Sequence, residues 1–230
     1  MPSKPSSPVA AKRGPSTPTT LVLKVTLLNV EPACWRRIVV DARMSLGRLH
    51  DVVQTAFDWH DSHLHEFWTS LRGRDDRRRF GPPAPDGFRD LDDPEDSKRV
   101  RVSSFLARRG AKLYYIYDFG DTWEHEIRCE KVLREGFDTL PVPAQFLGPP
   151  LRKSKTARRI WGFCVDGVGR TPPEDCGGPW GYAAMLASLA NPSDDEHDCR
   201  REWLGLNDGD VWDPSIFDLD AVNEQLAKMS

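Results

Sequence analysis

Residues 113–129, LYYIYDFGDTWEHEIRC, decide the fold class. Leu113, Tyr115, Tyr117 and Phe119 take every second position, Gly120-Asp121 supplies turn chemistry, and Trp123, His125, Ile127 and Cys129 alternate on the way back. A period of two on both sides of such a turn reads as an antiparallel hairpin with one buried face. Upstream, Leu21, Leu23, Val25 and Leu27 alternate with Lys24 and Thr26 in a strand predicted over 21–30, and 35–40 makes a second strand beyond Pro32. Ser45 caps a helix whose Leu46, Leu49, Val53 and Phe57 recur at helical spacing and which ends near Trp59. Residues 63–71 read as a further strand and 103–109 as a short helix.

The last third is helical in pattern. Pro179 can take the first helical position after Gly177-Gly178, with Tyr182, Met185, Leu186 and Leu189 as the buried stripe. Ser193 and Glu196 have capping-box spacing ahead of Cys199, Trp203 and Leu204, and Gly205 is placed to stop that helix. Asp218 can cap a final helix burying Leu219, Val222 and Leu226. Strands come first and helices last, which gives an α+β class: a mixed or antiparallel sheet, one early helix packed on it, and a C-terminal group of about three helices.

The chain of 230 residues reads as a single domain over 20–230 behind a Pro- and Ser-rich tail, 1–19, expected to be disordered. Stretches 72–99 and 136–162 show no periodicity and read as irregular loops. No apolar run approaches the roughly 20 residues that cross a bilayer, so the expected address is the cytoplasm and no membrane is involved. Five scattered cysteines (Cys34, Cys129, Cys164, Cys176 and Cys199) fit reduced thiols better than a disulfide framework. Net charge is −3, yet residues 174–230 hold 13 acids against Arg200, Arg201 and Lys228, leaving the rest of the chain basic. The basic side chains crowd at Arg72, Arg74, Arg77, Arg78 and Arg79 and again at Arg152, Lys153, Lys155, Arg158 and Arg159. Such stretches read either as solvated surface or as contacts to nucleic acid.

The polar side chains that can carry chemistry are His50, Gln54, His63, His65, Asp118, Asp121, His125, Glu174 and Asp175. In a strand, His63, His65 and Phe67 share one side and Glu66 the other. If helix and hairpin meet on one sheet, His50, His63, His65 and His125 come close enough to hold a divalent transition metal, with a carboxylate completing the shell. The same imidazoles also suit a hydrogen-bonded, packed cluster, and no metal spacing such as H-E-x-x-H is present. His60, beside Asp61 in a turn, is a weaker candidate. The glycines at 177 and 178 can expose N–H groups to an anion, or Glu174 and Asp175 can cap those groups themselves. Cys164 and Cys176 alone fall short of the roughly four ligands of a zinc site. Trp35, Trp59, Trp123 and Trp203 lie on apolar periodic faces, which suits core better than stacking on a base or sugar.

Pro32-x-x-Trp35-Arg36-Arg37, Leu49-His50, Gln54, Trp59, His63-Leu64-His65-x-Phe67, Tyr117-Asp118-Phe119-Gly120-Asp121-x-Trp123-x-His125, Pro172-Pro173-Glu174-Asp175-x-Gly177-Gly178-x-x-Gly181-Tyr182 and Phe217-Asp218-x-x-x-Val222-Asn223-x-x-Leu226 stand in an order and spacing that resembles the plasmid pRiA4b ORF-3-like family. The resemblance spans about residues 20–228. It implies a compact α+β fold, a bacterial or archaeal source and an association with plasmids or insertion elements. Some members bear a resolvase-like label, but no serine- or tyrosine-recombinase pattern is present here. Where the family often has a second cysteine before Pro-Pro-Glu-Asp, this chain has Thr171.

These observations lead to the expectation of a cytoplasmic binding or accessory protein tied to mobile DNA, meeting nucleic acid or protein through 72–99 and 136–162. The alternative is a metal-dependent hydrolase acting on phosphodiesters, with His50, His63, His65 and His125 as ligands and Asp118 or Glu174 as general base.

Overall fold

In the computed structural model, residues 20–70, 77–83, 93–133 and 161–229 are described. The tail 1–19 and the basic residues Arg152, Lys153, Lys155, Arg158 and Arg159 lie outside them. The strands are β1 (Thr20–Leu27), β2 (Cys34–Asp41), β3 (His65–Trp68), β4 (Arg79–Gly81), β5 (Glu95–Asp96), β6 (Lys112–Tyr117), β7 (Trp123–Leu133) and β8 (Gly162–Val168). They form one sheet in the order β5-β4-β3-β6-β7-β1-β2-β8, antiparallel except for the β4–β5 pair. The helices are α1 (Leu46–Ala56), α2 (Ser103–Leu106), α3 (Gly178–Ala190), α4 (His197–Trp203) and α5 (Leu219–Lys228). The α+β class with a largely antiparallel sheet, an early helix and three late ones is therefore the observed one.

The β6–β7 hairpin sits in the middle of the sheet and pairs Tyr115 with His125 and Tyr117 with Trp123. Leu21, Leu23, Val25 and Leu27 of β1 lie in the main core, while Val22 joins Val39 and Phe163 in a smaller cluster. Helix α1 starts where the sequence places it, because the Ser45 hydroxyl accepts from the Arg48 N–H. Its buried stripe of Leu46, Leu49, Val53 and Phe57 covers the sheet. Asp218 likewise caps α5 by accepting from the Ala221 N–H. Asn223 of that helix brackets one peptide of the edge strand β8: it accepts from Cys164 N at 2.8 Å and donates to Cys164 O at 2.9 Å.

Several expectations are corrected. The strand read over 63–71 begins only at His65, so the pleat does not govern His63. Stretch 72–99 is not structureless where it is described: β4, β5 and a 3-10 turn at Ser97–Arg99 lie in it. Three- and two-residue strands are too short to display a period, although Phe80 is fully buried opposite Phe67. Strand β8 also escapes the pattern. Glycines stand at 162 and 167, and the register against β2 slips between Arg37 and Ile38, which breaks the alternation. Helix α2 is one turn long. The capping box at Ser193 does not form: Glu196 itself stands at the N-cap position without a side-chain bond, and Asp194 accepts from Ser188 Oγ and Glu196 N instead. Trp203 is 47% exposed, and Leu186 and Leu189 are only partly buried. Trp35 is half-buried beneath Lys24 and Arg37, so of the four tryptophans assigned to the core only Trp59 and Trp123 belong to it.

No helix among the described residues is long and apolar enough to cross a membrane. Cys34, Cys129, Cys164, Cys176 and Cys199 are free thiols, the first four buried. Burial raises the pKa of each of those four, which makes them poor nucleophiles.

Candidate functional site

His50 and Gln54 stand one turn apart on α1 and face the hairpin. Gln54 Nε2 donates to the Tyr115 hydroxyl at 2.8 Å, and the same oxygen lies 2.8 Å from His50 Nδ1. The other ring nitrogen, His50 Nε2, lies 2.9 Å from Asp61 Oδ1. A carboxylate only accepts, so a ring carrying one proton holds it on Nε2 and accepts the Tyr115 O–H at Nδ1. The relay runs Gln54 to Tyr115 to His50 to Asp61. Asp61 can take its place because its backbone is left-handed at φ 58, a conformation aspartate tolerates. Its bond from His50 lowers the Asp61 pKa. His65 lies flat against His50, ring centroids 3.4 Å apart and planes 10° from parallel. Burial, then the neighbouring His50, pushes the His65 pKa down to about 3. Its Nε2 is buried without a hydrogen-bond partner.

A second group forms where loop 57–64 meets the β6–β7 turn and segment 170–176. His63 Nε2 lies 3.2 Å from Asp175 Oδ1 and 3.7 Å from Asp118 Oδ2. Both aspartates have positive φ, and Asp118 Oδ1 also accepts from Gly120 N at 2.8 Å. Glu174 is held by a short bond from the Tyr117 hydroxyl and by His60, whose Nδ1 lies 2.7 Å away. Tyr117 in turn accepts from Ser62 N at 2.9 Å. Burial first, and then the Glu174 carboxylate, keeps this phenol protonated by raising its pKa.

The four imidazoles therefore do not share one shell. His50 and His65 stand with Asp61, and His63 with Asp118 and Asp175; these are the two groups among the described residues whose donor atoms lie within 4.8 Å of one another. His125 belongs to neither. Its ring meets Phe57 and Trp59 edge-on at 5.0 and 5.3 Å, and its Nδ1–H donates to Trp123 O at 3.1 Å. The separation has a physical cause: strand alternation turns His125 into the aromatic core, whereas His63 precedes its strand and follows the loop. The reading of Glu174 and Asp175 as caps of α3 is also corrected. The Gly177 N–H donates to Asp121 Oδ2 at 3.2 Å, and Gly178, at φ 67, sits so close to Asp121 O that a Cβ there would lie 2.2 Å from it. Asp121 thus ties the hairpin turn to the start of α3, while Glu174 and Asp175 face the histidines.

Burial pushes the His125 pKa down to about 3 from an ordinary value of 6.5. The unfolded chain takes up a proton here below about pH 6.5 and the native protein does not, so native stability is lost as pH falls through that window. At pH 5 the loss attributable to this ring is about 2 kcal/mol relative to pH 7.5. Urea unfolding at both pH values should show a His125→Phe variant with that much less pH dependence than the parent. Equal slopes would mean that the ring titrates normally in the native state.

One participant stands in the Trp35-Arg36-Arg37 block, but no sequence pattern marked its role. Arg36, on the core face of β2 and 3% exposed, donates through Nε to Ala56 O at 2.9 Å and through its Nη atoms to Trp35 O, Val168 O and Thr171 Oγ1 at 3.0 Å each. Its guanidinium lies between the rings of Phe57 and Phe217, 5.0 and 4.3 Å from their centroids. Gly167 admits Phe217, since a Cβ there would approach that ring to 2.6 Å. Thr171 places a hydroxyl where Arg36 needs an acceptor. Arg36 so joins strand β8 to the end of α1 and segment 170–175, and these last two wall a cleft of about 810 Å³. Trp59 closes its floor by donating from Nε1 to Pro172 O at 3.0 Å.

In the first basic stretch, the described arginines are occupied: Arg77 lies over Trp68 at 4.3 Å, Arg78 pairs with Glu95 and Arg79 with Glu66. Glu66 does face away from His65, as the pleat requires.

The family model for plasmid pRiA4b ORF-3-like protein matches residues 19–146 and 151–221. Over 206 residues the chain is 38% identical to the uncharacterized protein y4hQ of Sinorhizobium fredii, across 89% of this chain and 91% of that one. The fold is similar to the crystal structure of MM3350, a protein of unknown function from Methanosarcina mazei, with a TM-score of 0.65 and 28% identity over 87% of this chain and 95% of the other. The clustered blocks from Trp35 to Leu226 and these likenesses agree, and the chain belongs to the plasmid pRiA4b ORF-3-like family.

Proposed function

We propose that this chain is a binding or accessory protein that receives its partner in the cleft walled by 57–60 with Ser62, by 170–175, and by Trp212 with residues of 216–225. The observation that supports the reading is that the first two of these walls are tied together by Arg36 and Trp59 within the protein itself. A partner then meets a formed surface, and little ordering entropy opposes binding. The lining combines Trp212, Ile216 and Phe217 with four carboxylates: Asp58, Glu174, Asp175 and Asp218. Of its two guanidiniums, Arg36 is consumed internally and Arg170 lies over Trp212 at 4.4 Å. This chemistry suits a protein segment that presents an aromatic or aliphatic group beside a basic one, and it repels phosphate. A nucleic-acid partner would instead be met by the stretch around Arg152 to Arg159, outside the described residues. The plasmid in the family's name is what supports a role with mobile DNA.

Proton–nitrogen NMR with phenylalanyl-arginine amide as probe tests the cleft. The indole N–H signals of Trp59 and Trp212 should move with millimolar peptide and saturate, and Asp58→Asn with Asp175→Asn should weaken the response several-fold. Indoles that stay still, while a duplex DNA probe binds with steep salt dependence, would overturn the cleft reading in favour of phosphate contacts elsewhere.

A further inference from the structure

The geometry points to a divalent transition-metal site at His50, Asp61 and His65, separate from the cleft. Three donors converge there within 4.8 Å of one another, two imidazoles and one carboxylate. Ligand atoms about 2.0–2.2 Å from a zinc ion stand roughly 3.2–3.6 Å apart, and the stacked rings of His50 and His65 must swing out of parallel for both lone pairs to meet one ion. Two features distinguish this group from a chance meeting of polar side chains. First, the Nε2 atom of His65, a residue 8% exposed, has no hydrogen-bond partner although the ring is packed against His50. In the tautomer that carries its proton on Nδ1, such a buried and unpartnered nitrogen offers a lone pair to a cation. Second, His50 is oriented from behind by Tyr115 and Gln54, the arrangement by which outer-shell groups fix the ring and tautomer of a metal ligand.

Coordination by His50 Nε2 requires the ring proton to change sides, and the relay can accommodate this. Nε2 gives up its proton and its bond to Asp61 and takes the metal; Nδ1 takes a proton and donates it to the Tyr115 oxygen. The Tyr115 O–H then turns from His50 towards Gln54, whose Oε1 is buried and unpartnered in the present orientation. A half-turn of that amide presents Oε1 as the acceptor. The number of protons on the histidine and the tyrosine is unchanged. Asp61, whose side chain is 53% exposed, faces solvent and gives the ion its way in. Two imidazoles and one carboxylate leave open positions for water, a set suited to zinc, cobalt, manganese or iron(II) rather than to magnesium or calcium. The neighbouring group of His63, Asp118 and Asp175 is the internal control: His63 Nε2 is likewise without a hydrogen-bond partner, but its side chain is 28% exposed.

The test uses the full chain without an affinity tag, stripped with chelator and freed of it by gel filtration. Cobalt(II) is added while the visible d–d bands are recorded, and zinc is then added to displace it. One equivalent of cobalt should bind, with bands that zinc abolishes. Asp61→Asn, on the exposed side of the site, should weaken cobalt binding at least tenfold, and His65→Gln should remove it with the fold retained by circular dichroism. A combined His63→Ala, Asp175→Asn protein should bind as the parent does. The assignment is overturned if micromolar cobalt gives no bands, or if the bands survive Asp61→Asn unweakened. It is equally overturned if they vanish in the His63 and Asp175 protein instead. If His65→Gln fails to fold, the Asp61→Asn result decides alone. The cleft peptide experiment is independent of all these outcomes.

Discussion

Arg36→Ala should lower the free energy of unfolding by about 3 kcal/mol or more, because four hydrogen bonds from one buried cation are lost together. The acceptors come from three places: the last turn of α1, the β2–β8 pair and the Thr171 hydroxyl. Ala56 O is at the C-terminal end of its helix, where the exposed carbonyls favour a positive charge. The two flanking rings add contact that alanine cannot replace. Burial lowers the Arg36 pKa, yet guanidinium starts high enough to stay charged, which is why a lysine is a poor substitute. Arg36→Lys should recover only part of the loss, since one ammonium cannot reach the acceptors that a planar fork spans. Chemical denaturation gives the stability, and amide exchange gives the location: protection should fall first at 168–171 and at the end of α1. A loss below about 1 kcal/mol would show that water replaces the clamp and that the cleft walls do not depend on it.

Trp59→Ala should cost about 3–5 kcal/mol, the range for removing a large buried aromatic ring. The indole stacks on Phe57 and Tyr117 at centroid distances of 5.6 and 5.1 Å, meets the edge of His125, and lies 6.0 Å from Trp123. It also anchors segment 170–175 through Pro172 O. Trp59→Phe separates the two contributions: it keeps much of the ring contact but drops the hydrogen bond, and should cost nearer 1 kcal/mol. The alanine protein should also lose the ordered approach of Glu174 to Tyr117, visible as a change in tyrosine absorption near its titration. If the phenylalanine protein loses as much stability as the alanine one, the bond to Pro172, and not the ring, governs the site.

The central hairpin, the alternation of β1 and the starts of α1 and α5 could all be read from local pattern, since each depends on neighbouring residues: a period of two, a period near 3.6, or a cap three residues from the N–H it accepts from. Strands β4, β5 and β8 could not, being too short or interrupted by glycine and a register slip. Arg36 was hidden for another reason. A charged residue in a strand reads as surface, and its acceptors at 56, 168 and 171 become neighbours only when the sheet closes. The histidines were legible as a group, but not in their partition, and Asp61 passed as turn chemistry until its left-handed backbone brought it to His50.

By itself, then, the amino-acid order determined the α+β class, the hairpin at its centre and the pool of imidazoles and carboxylates, because hydrophobic periodicity and capping act over a few residues. Which imidazole meets which carboxylate was decided by the tertiary structure. Hydrogen bonds and coordination act over about 3 Å, and only sheet register and loop conformation set distances that fine between distant parts of the chain.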